Sequence, residues 1–258
     1  MIRPENNNPN SNRTIPLAAM TNIREPHNRY QREYFENTER SRIALADTPY
    51  VLGHVERMID AADLTTDRRI LEVGSGLGKF TLPLAARGYQ LTANDLSPHL
   101  LERLDHAAAG RVQTLCCDIH DIERHVSTPF DCAIGFFVLH HLVDFERIFL
   151  AISRVMRPGG RIAFCEPVAW NPLYYLQILL TPGMRFAGEP SITSMRPGVI
   201  LPALTRAGFI EVESRRYGYF PPFIKNRAWG ARLEDWLDDS AVVPFPNAFQ
   251  IFTARMPG

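Results

Sequence analysis

The order of apolar and polar positions divides this chain into three stretches. The opening segment MIRPENNNPNSNRTIP is rich in Asn and Pro and nearly free of large apolar residues. Burial cannot offset the entropy of ordering it, so residues 1–20 are expected to form a disordered tail. From about Tyr30 to Ala62 the rhythm turns helical. Val51, Leu52, Val55, Met58 and Ile59 recur at i, i+3, i+4 and i+7 spacing. They predict two helices, separated near Pro49, that form an N-terminal helical cap over residues 21–66.

A different rhythm begins at Arg69 and carries the main domain, expected over residues 67–258. The run RRILEV reads as a short buried strand that ends in glycines. A helical pattern follows over Phe80 to Arg87, then a strand over Gln90 to Asn94, a helix over Pro98 to Ala108 and a strand over Val112 to Cys117. Phe130 to Phe136 predicts a further strand, Phe145 to Met156 a helix, and Pro158-Gly159-Gly160 a turn into a strand over Arg161 to Cys165. After an interruption at about 168–195, a helix is expected over Pro197 to Ala207 and a strand over Phe209 to Ser214. A second insertion at about 217–246 precedes a last strand over Ala248 to Arg255. Strands alternating with helices of this length make βαβ units and a parallel sheet covered on both faces. Such sheets bind ligands at the carboxyl ends of their strands.

Charge and cysteines narrow the classes. The 28 Lys and Arg residues balance 28 Asp and Glu, whereas nucleic-acid binders carry a basic excess. No apolar run reaches the ~18 residues of a membrane helix, and no signal-peptide segment opens the chain. Cys116, Cys117, Cys132 and Cys165 lack CxxC spacing and lie in apolar runs, which predicts buried thiols in a reducing, cytoplasmic setting. No metal site is expected, since no cluster has ligand spacing.

The first strand runs into Glu72-Val73-Gly74-Ser75-Gly76-Leu77-Gly78-Lys79. A dinucleotide fingerprint fails because the third glycine comes one residue early, and a phosphate-binding P-loop fails because Val73 and Phe80 stand where Gly and a hydroxyl are needed. An acid immediately before a glycine loop serves a cationic amino-acid ligand better than a pyrophosphate. Asp95 ends the second strand at the offset where acids reach ribose hydroxyls. Asp118, with Ile119 beside it, ends the third and offers an acceptor for an exocyclic amine. Each also has a purely structural reading, as a turn glycine or a helix N-cap.

The segments ILEVGSGLGKFT, LTANDLSP, LCCDIHDI, FDCAIGFFVLHHLVD, VMRPGGRIAFCEP and LTRAGFIEV, in that order, resemble the class I S-adenosylmethionine-dependent methyltransferases. The resemblance covers roughly Asp67 to Val212. It implies an α/β, Rossmann-like, doubly wound sheet of seven mostly parallel strands, the last antiparallel, with S-adenosylmethionine as cofactor. It further implies that Gly74 and Gly76 pass under the amino-acid portion near Glu72, that Asp95 holds the ribose and Leu96 packs on adenine, that Asp118 accepts from the adenine amine beside Ile119, and that Phe136 lies near the methionine.

For the chemistry, His140 and His141 follow the fourth strand at the edge where the methyl group should point, and either is a candidate base. Glu166, ending the fifth strand, is a third candidate. A structural turn is the alternative for the histidines, and a cap or salt bridge for Glu166. His120 reads as a surface loop residue, and His99, His106 and His125 read as solvated. The two insertions carry Trp170, Tyr174, Tyr175, Phe186, Tyr217, Tyr219, Phe220, Phe223, Trp229 and Trp236. They are expected to roof an apolar pocket for a small-molecule acceptor, with O- or N-methylation favoured; a satellite core under long loops is the alternative. The alternatives to such an enzyme are a non-catalytic cofactor-binding module, or an RNA or protein methyltransferase using Arg215, Arg216, Lys225, Arg227 and Arg232.

Overall fold

A computed structural model describes residues 17–37, 47–172, 175, 190–238 and 247–258. Seven strands form one sheet: β1 Arg69–Val73, β2 Gln90–Asp95, β3 Gln113–Cys116, β4 Phe130–Phe136, β5 Met156–Pro167, β6 Ile210–Tyr217 and β7 Phe249–Arg255. Their spatial order is β3-β2-β1-β4-β5-β7-β6. The first five strands run parallel, and β7 pairs antiparallel with both β5 and β6. Strand order therefore reverses between β1 and β4, which is where an open α/β sheet leaves a crevice for a ligand.

Helices cover both faces because each carries one apolar stripe. On one face, α2 (Pro49–Ala62) buries Val51, His54, Val55, Met58 and Ala62. It starts at the N-cap Thr48 with Pro49 in the first turn, a placement that suits proline's missing N–H. Beside it, α3 (Thr81–Ala86) and α4 (Pro98–Ala108) contribute Leu84, Leu101 and Leu104 to the same core. On the other face, α5 (Phe145–Ser153) and α6 (Pro197–Arg206) supply Ile148, Phe149, Ile200 and Leu204. Two short helices, α7 (Pro222–Lys225) and α8 (Ala228–Asp238), lie between β6 and β7.

Several expectations are corrected. A helix, α1, spans Leu17–Asn37 and begins inside the stretch expected to be a tail; residues 1–16 lie outside the described residues. Helix α5 stops at Ser153 rather than Met156 because the sheet takes up the next residues: Phe130 N–H donates to the Val155 carbonyl at 2.8 Å, and Met156 pairs with Phe130. Pro158-Gly159-Gly160 is consequently an irregularity inside β5, where register shifts against β4, and not a turn before it. Strand β6 runs on to Tyr217 because β7 offers partners as far as Phe249. The thiols also divide: Cys132 and Cys165 are buried, Cys117 is half-buried, and Cys116, on the edge strand β3, is exposed.

Gly135 in β4 sets how closely the two central strands pack. A Cβ there would lie 2.4 Å from the Phe164 ring on β5 and 2.8 Å from Val138. Gly135→Ala is expected to destabilise the fold by about 1–3 kcal/mol, the usual cost of overpacking a filled core. Urea unfolding midpoints measure it; an unchanged midpoint would show that the Phe164 ring can move aside.

Candidate functional site at the carboxyl edge of the sheet

The crevice at the reversal of strand order holds a cavity of about 160 Å³. Its floor comes from the ends of four strands: Gly74 and Gly76 after β1, Asp95 and Leu96 at β2, Asp118 and Ile119 after β3, and Phe137, Val138 and His141 after β4. Six of the eight residues expected to hold a cofactor are thus brought together. Glu72 and Phe136 are not among the lining residues. Phe136 points away, its ring stacked on Phe80 at 4.3 Å; the next residue, Phe137, takes the place at the cavity wall.

The glycine loop is shaped for close approach. Gly74 has φ +69° and a Cβ there would collide with Val138 Cγ2 at 2.2 Å; Gly76 has φ +53°, and a Cβ there would meet no protein atom within 4 Å. Gly76 N–H donates to Asp95 Oδ2 at 2.9 Å, and Ser97 N–H donates to Asp95 Oδ1 at 3.0 Å. These bonds fix the Asp95 carboxylate at the cavity edge, while burial raises its pKa against their opposing pull. Glu72 lies beneath the loop, 2% exposed, and its Oε2 has no hydrogen-bond partner. Burial pushes its carboxyl up to about 8, with the Thr81 hydroxyl opposing and the Asp95 charge adding to the rise. An orphaned buried carboxyl oxygen, a second acid beside it and an open glycine edge suit a ligand with a cationic end.

Asp118 has a double role. It caps the 3-10 turn over Ile119–Arg124, accepting from His120 N–H on Oδ1 at 2.9 Å, and the His120 ring nitrogen meets the same oxygen at 2.8 Å. Burial works to raise its pKa, but the His120 bonds, helped by Asn28, outweigh it and hold the carboxyl at about 2. His120, expected on a surface loop, has a side chain 6% exposed that lines the cavity. His99, His106 and His125 are exposed.

Two of the three candidate bases serve another purpose. Glu166 is fully buried, and its Oε1 accepts from Val138 N–H at 2.9 Å and Leu139 N–H at 2.6 Å. Its Oε2 meets His140 Nδ1 at 2.6 Å, and His140 is 3% exposed. Neither residue lines the cavity, and together they pin the turn after β4. His141 alone of the three lines the cavity, its ring edge-on to Phe35 at 5.0 Å.

The roof differs from expectation. Trp170, Phe223, Trp229 and Trp236 stand exposed, and Tyr217 and Tyr219 are buried; none lines the cavity. Phe220 is half-buried and Tyr175 donates its hydroxyl to the Ala169 carbonyl, while Tyr174 and Phe186 lie outside the described residues. The wall comes instead from α1, through His27, Asn28, Gln31, Arg32 and Phe35. These positions share one helix face, but the face is mostly polar, so a search for apolar periodicity passes over it. The helix is tied down by Asn28 Nδ2 donating to Asp118 Oδ2 at 2.6 Å, by Arg24 paired with Asp118 and Asp121, by His27 Nε2 at 2.8 Å from the His141 carbonyl, and by Ser97 Oγ donating to Glu36 at 2.6 Å. Among the described residues no group of three His, Cys, Asp or Glu could hold a metal ion, and no helix is long and apolar enough to cross a membrane.

Comparison with known proteins bears on the family and the fold. Residues 71–164, which carry the glycine loop and the turn after β4, match the family described as "Methyltransferase domain". This stretch is a class I methyltransferase domain. The chain is 31% identical over 97 residues to a tRNA 5-carboxymethoxyuridine methyltransferase of Escherichia coli strain K12, covering 36% of this chain and 37% of that protein. It is 29% identical over 175 residues to an S-adenosyl-L-methionine-dependent Diels-Alderase of Talaromyces variabilis, covering 62% and 59%. The chain thus spans about a third and about three-fifths of the length of these two relatives. A phosphoethanolamine N-methyltransferase 2 of Haemonchus contortus, solved with S-adenosyl-L-methionine, shares the fold with a TM-score of 0.60 at 17% identity, over 88% of this chain and 60% of that one.

Two measurements probe the electrostatics of the methyltransferase domain. Glu166→Gln keeps the shape but removes the charge that three donors share; a loss on the order of 2–3 kcal/mol is expected, read from denaturant unfolding. For Glu72, a folded pKa above the unfolded value means that the folded state holds the extra proton between about pH 4.5 and 8. Stability is therefore greater at the acid end of that window and declines as pH rises through it. Glu72→Gln should flatten that decline between pH 5 and 8; an equally steep decline in the variant would assign it to another group.

Proposed function

We propose that this chain is an S-adenosylmethionine-dependent methyltransferase acting on an oxygen or nitrogen of a small, partly apolar acceptor. The observation that carries the reading is the placement of Gly74, Gly76, Asp95, Leu96, Asp118 and Ile119 around one cavity at the reversal of strand order. The residues fit the cofactor on chemical grounds. Asp95 presents a carboxylate suited to vicinal hydroxyls, and Asp118, with Ile119 beside it, suits an exocyclic amine on an apolar ring. The orphaned Oε2 of Glu72 lies under the loop where a cationic end would be favoured.

When bound, the cofactor supplies an electrophilic methyl group on a sulfonium. The chain supplies position and a dry wall. Phe137, Val138 and Leu142 exclude water from the cavity, and holding two reactants in line can account for several of the ~7–11 kcal/mol that proximity can contribute. His141 is the candidate to accept the acceptor's proton, since it is the member of the histidine pair that lines the cavity. Glu166 and His140 act as positioning residues, fixing the turn that carries His141. A cavity enclosed by α1 favours a small acceptor over a polynucleotide. Of the five basic residues that could favour RNA, Lys225 is taken up by Glu234 at 2.7 Å.

Titration calorimetry with S-adenosylhomocysteine tests the cofactor site. Wild type should bind, and Asp95→Ala should weaken binding at least tenfold. Gly76→Val should do the same by filling the space beside the loop, with a strain of about 1–2 kcal/mol at its positive φ. Absence of binding to the wild type sinks the reading. Labelled methyl transfer to a panel of small phenols and amines, run beside unmodified tRNA, tests the acceptor class; transfer to tRNA alone would overturn it.

A further inference from the structure

Helix α8 carries its charge inward and its apolar residues outward. Gly230, Glu234 and Leu237 are buried, while Trp229, Arg232, Leu233 and Trp236, at i, i+3, i+4 and i+7 spacing, share an exposed face. A surface helix normally buries its apolar stripe and shows its charges to water. Here the inner face holds a carboxylate that is 6% exposed, and the outer face holds two indoles that are 61% and 64% exposed. Apolar residues scattered singly over a surface are common; a stripe of them on one helix face marks an interaction surface.

The inversion is built in. Glu234 Oε2 accepts from the N–H groups of Tyr219 at 3.0 Å and Phe220 at 2.9 Å, and its Oε1 meets the Lys225 ammonium at 2.7 Å. Asn226 Oδ1 accepts from Tyr50 N–H at 2.9 Å, which ties the turn before α8 to the start of α2. A Cβ at Gly230 would strike the Ile224 carbonyl, so α7 and α8 are in close contact. These contacts fix the rotation of α8 about its own axis and hold the tryptophans outward. Both helices follow β6, which ends at the same carboxyl edge of the sheet as the cavity. Phe223 on α7 and Trp170, just past the end of β5 at that edge, are likewise exposed.

Charge indicates what covers the stripe. Among residues 222–237 the exposed charged residues are Arg227, Arg232 and Asp235, and Asp235 is paired with Lys225 at 3.4 Å. Arg227 and Arg232 form no ion pair among the described residues. Nor do Arg215 and Arg216, exposed on the part of β6 that leads toward α7. Tryptophan and leucine bordered by arginines suit a helix lying in the plane of a bilayer interface. The apolar side chains enter the acyl boundary, and the long arginine side chains reach anionic headgroups. The 11 residues of α8 span only about 16 Å, well short of the ~30 Å hydrocarbon core, so the helix lies on a bilayer and does not cross it.

Other occupants fit less well. A two-fold contact between copies across the stripe would set the unpaired arginines of both at one border. The two indoles also expose only roughly 300 Å², below the ~800 Å² per partner of a stable interface. For single-stranded RNA, Leu233, midway along the stripe, gives a base no ring to stack on.

We propose that the outward face of α8, with Trp229, Leu233 and Trp236 as its apolar stripe and Arg227 and Arg232 beside it, docks on the surface of an anionic phospholipid bilayer. The docking surface is separate from the cofactor cavity and stands independently of the methyltransferase reading.

The full chain is floated with vesicles of phosphatidylcholine alone and with vesicles of an equal mixture of phosphatidylcholine and phosphatidylglycerol. It should bind the mixed vesicles at least tenfold more tightly than the neutral ones, and raised salt should weaken that binding. Emission from the three tryptophans of the chain should shift to shorter wavelength on binding. The double variant W229A/W236A should lose at least tenfold in affinity, and R227Q/R232Q should lose the preference for mixed vesicles. Far-ultraviolet circular dichroism and the melting temperature establish that both variants fold. Equal binding to the two vesicle types, binding that survives in W229A/W236A, or no vesicle binding overturns the proposal. In place of vesicle binding, tryptophan quenching by a single-stranded RNA oligonucleotide would assign the stripe to RNA. Dimerisation in sedimentation velocity that W229A/W236A abolishes would assign it to a second copy.

Discussion

The carboxylate of Glu166 is the interaction on which the site depends. One fully buried side chain accepts from two successive backbone N–H groups and from His140. Those donors belong to the turn that follows β4, where the backbone leaves the sheet and would otherwise have buried N–H groups without partners. The turn in turn carries Val138, which closes on Gly74, and His141, which faces the cavity. A charge this deep is tolerable because every bond to it is charge-assisted. Remove the charge and the wall between β1 and β4 loses its anchor, whatever the fate of the rest of the sheet.

The cavity's other wall is held differently. Helices α2 to α6 are locked by two continuous apolar cores, one on each face of the sheet. None of the described side chains of α1 belongs to either core. Its ties to the carboxyl edge are mostly polar and ionic, through Arg24, Asn28, His27 and Glu36, with the Phe35 ring edge-on to His141. Such ties are individually modest in water. A rigid floor built by strand ends and a lighter wall built by one helix is a reasonable division for a site that must admit a ligand and then exclude water. Asp118 sits at the joint, bound by His120 from the floor and by Asn28 from the wall.

Much of this was legible beforehand, and the exceptions share a cause. Strand β4 and helix α4 appear within the residues expected, because Phe130 to Phe136 is apolar but for Asp131 and Ser97-Pro98 is a capped start. Gly74, Gly76, Asp95 and Asp118 were marked by their place directly after strands, and the strand ends do converge on one cavity. What misled was side-chain direction. Phe136 and Phe137 are adjacent, and only the backbone's left-handed turn at Phe137 decides which faces the cavity. His140 and His141 are adjacent too, and only Glu166, 26 residues away, claims one of them.

The sequence alone determined the layered α/β architecture, the family resemblance and most of the floor of the site. Those features follow from local periodicity and from glycines and acids at fixed offsets. The tertiary structure decided the rest. It bound Glu166 to the turn after β4, set the exposed tryptophans of the insertions apart from the cavity, and put a polar helix in their place. The reason is that partners distant in the chain compete for the same carboxylates and the same buried space, and no local pattern records which of them wins.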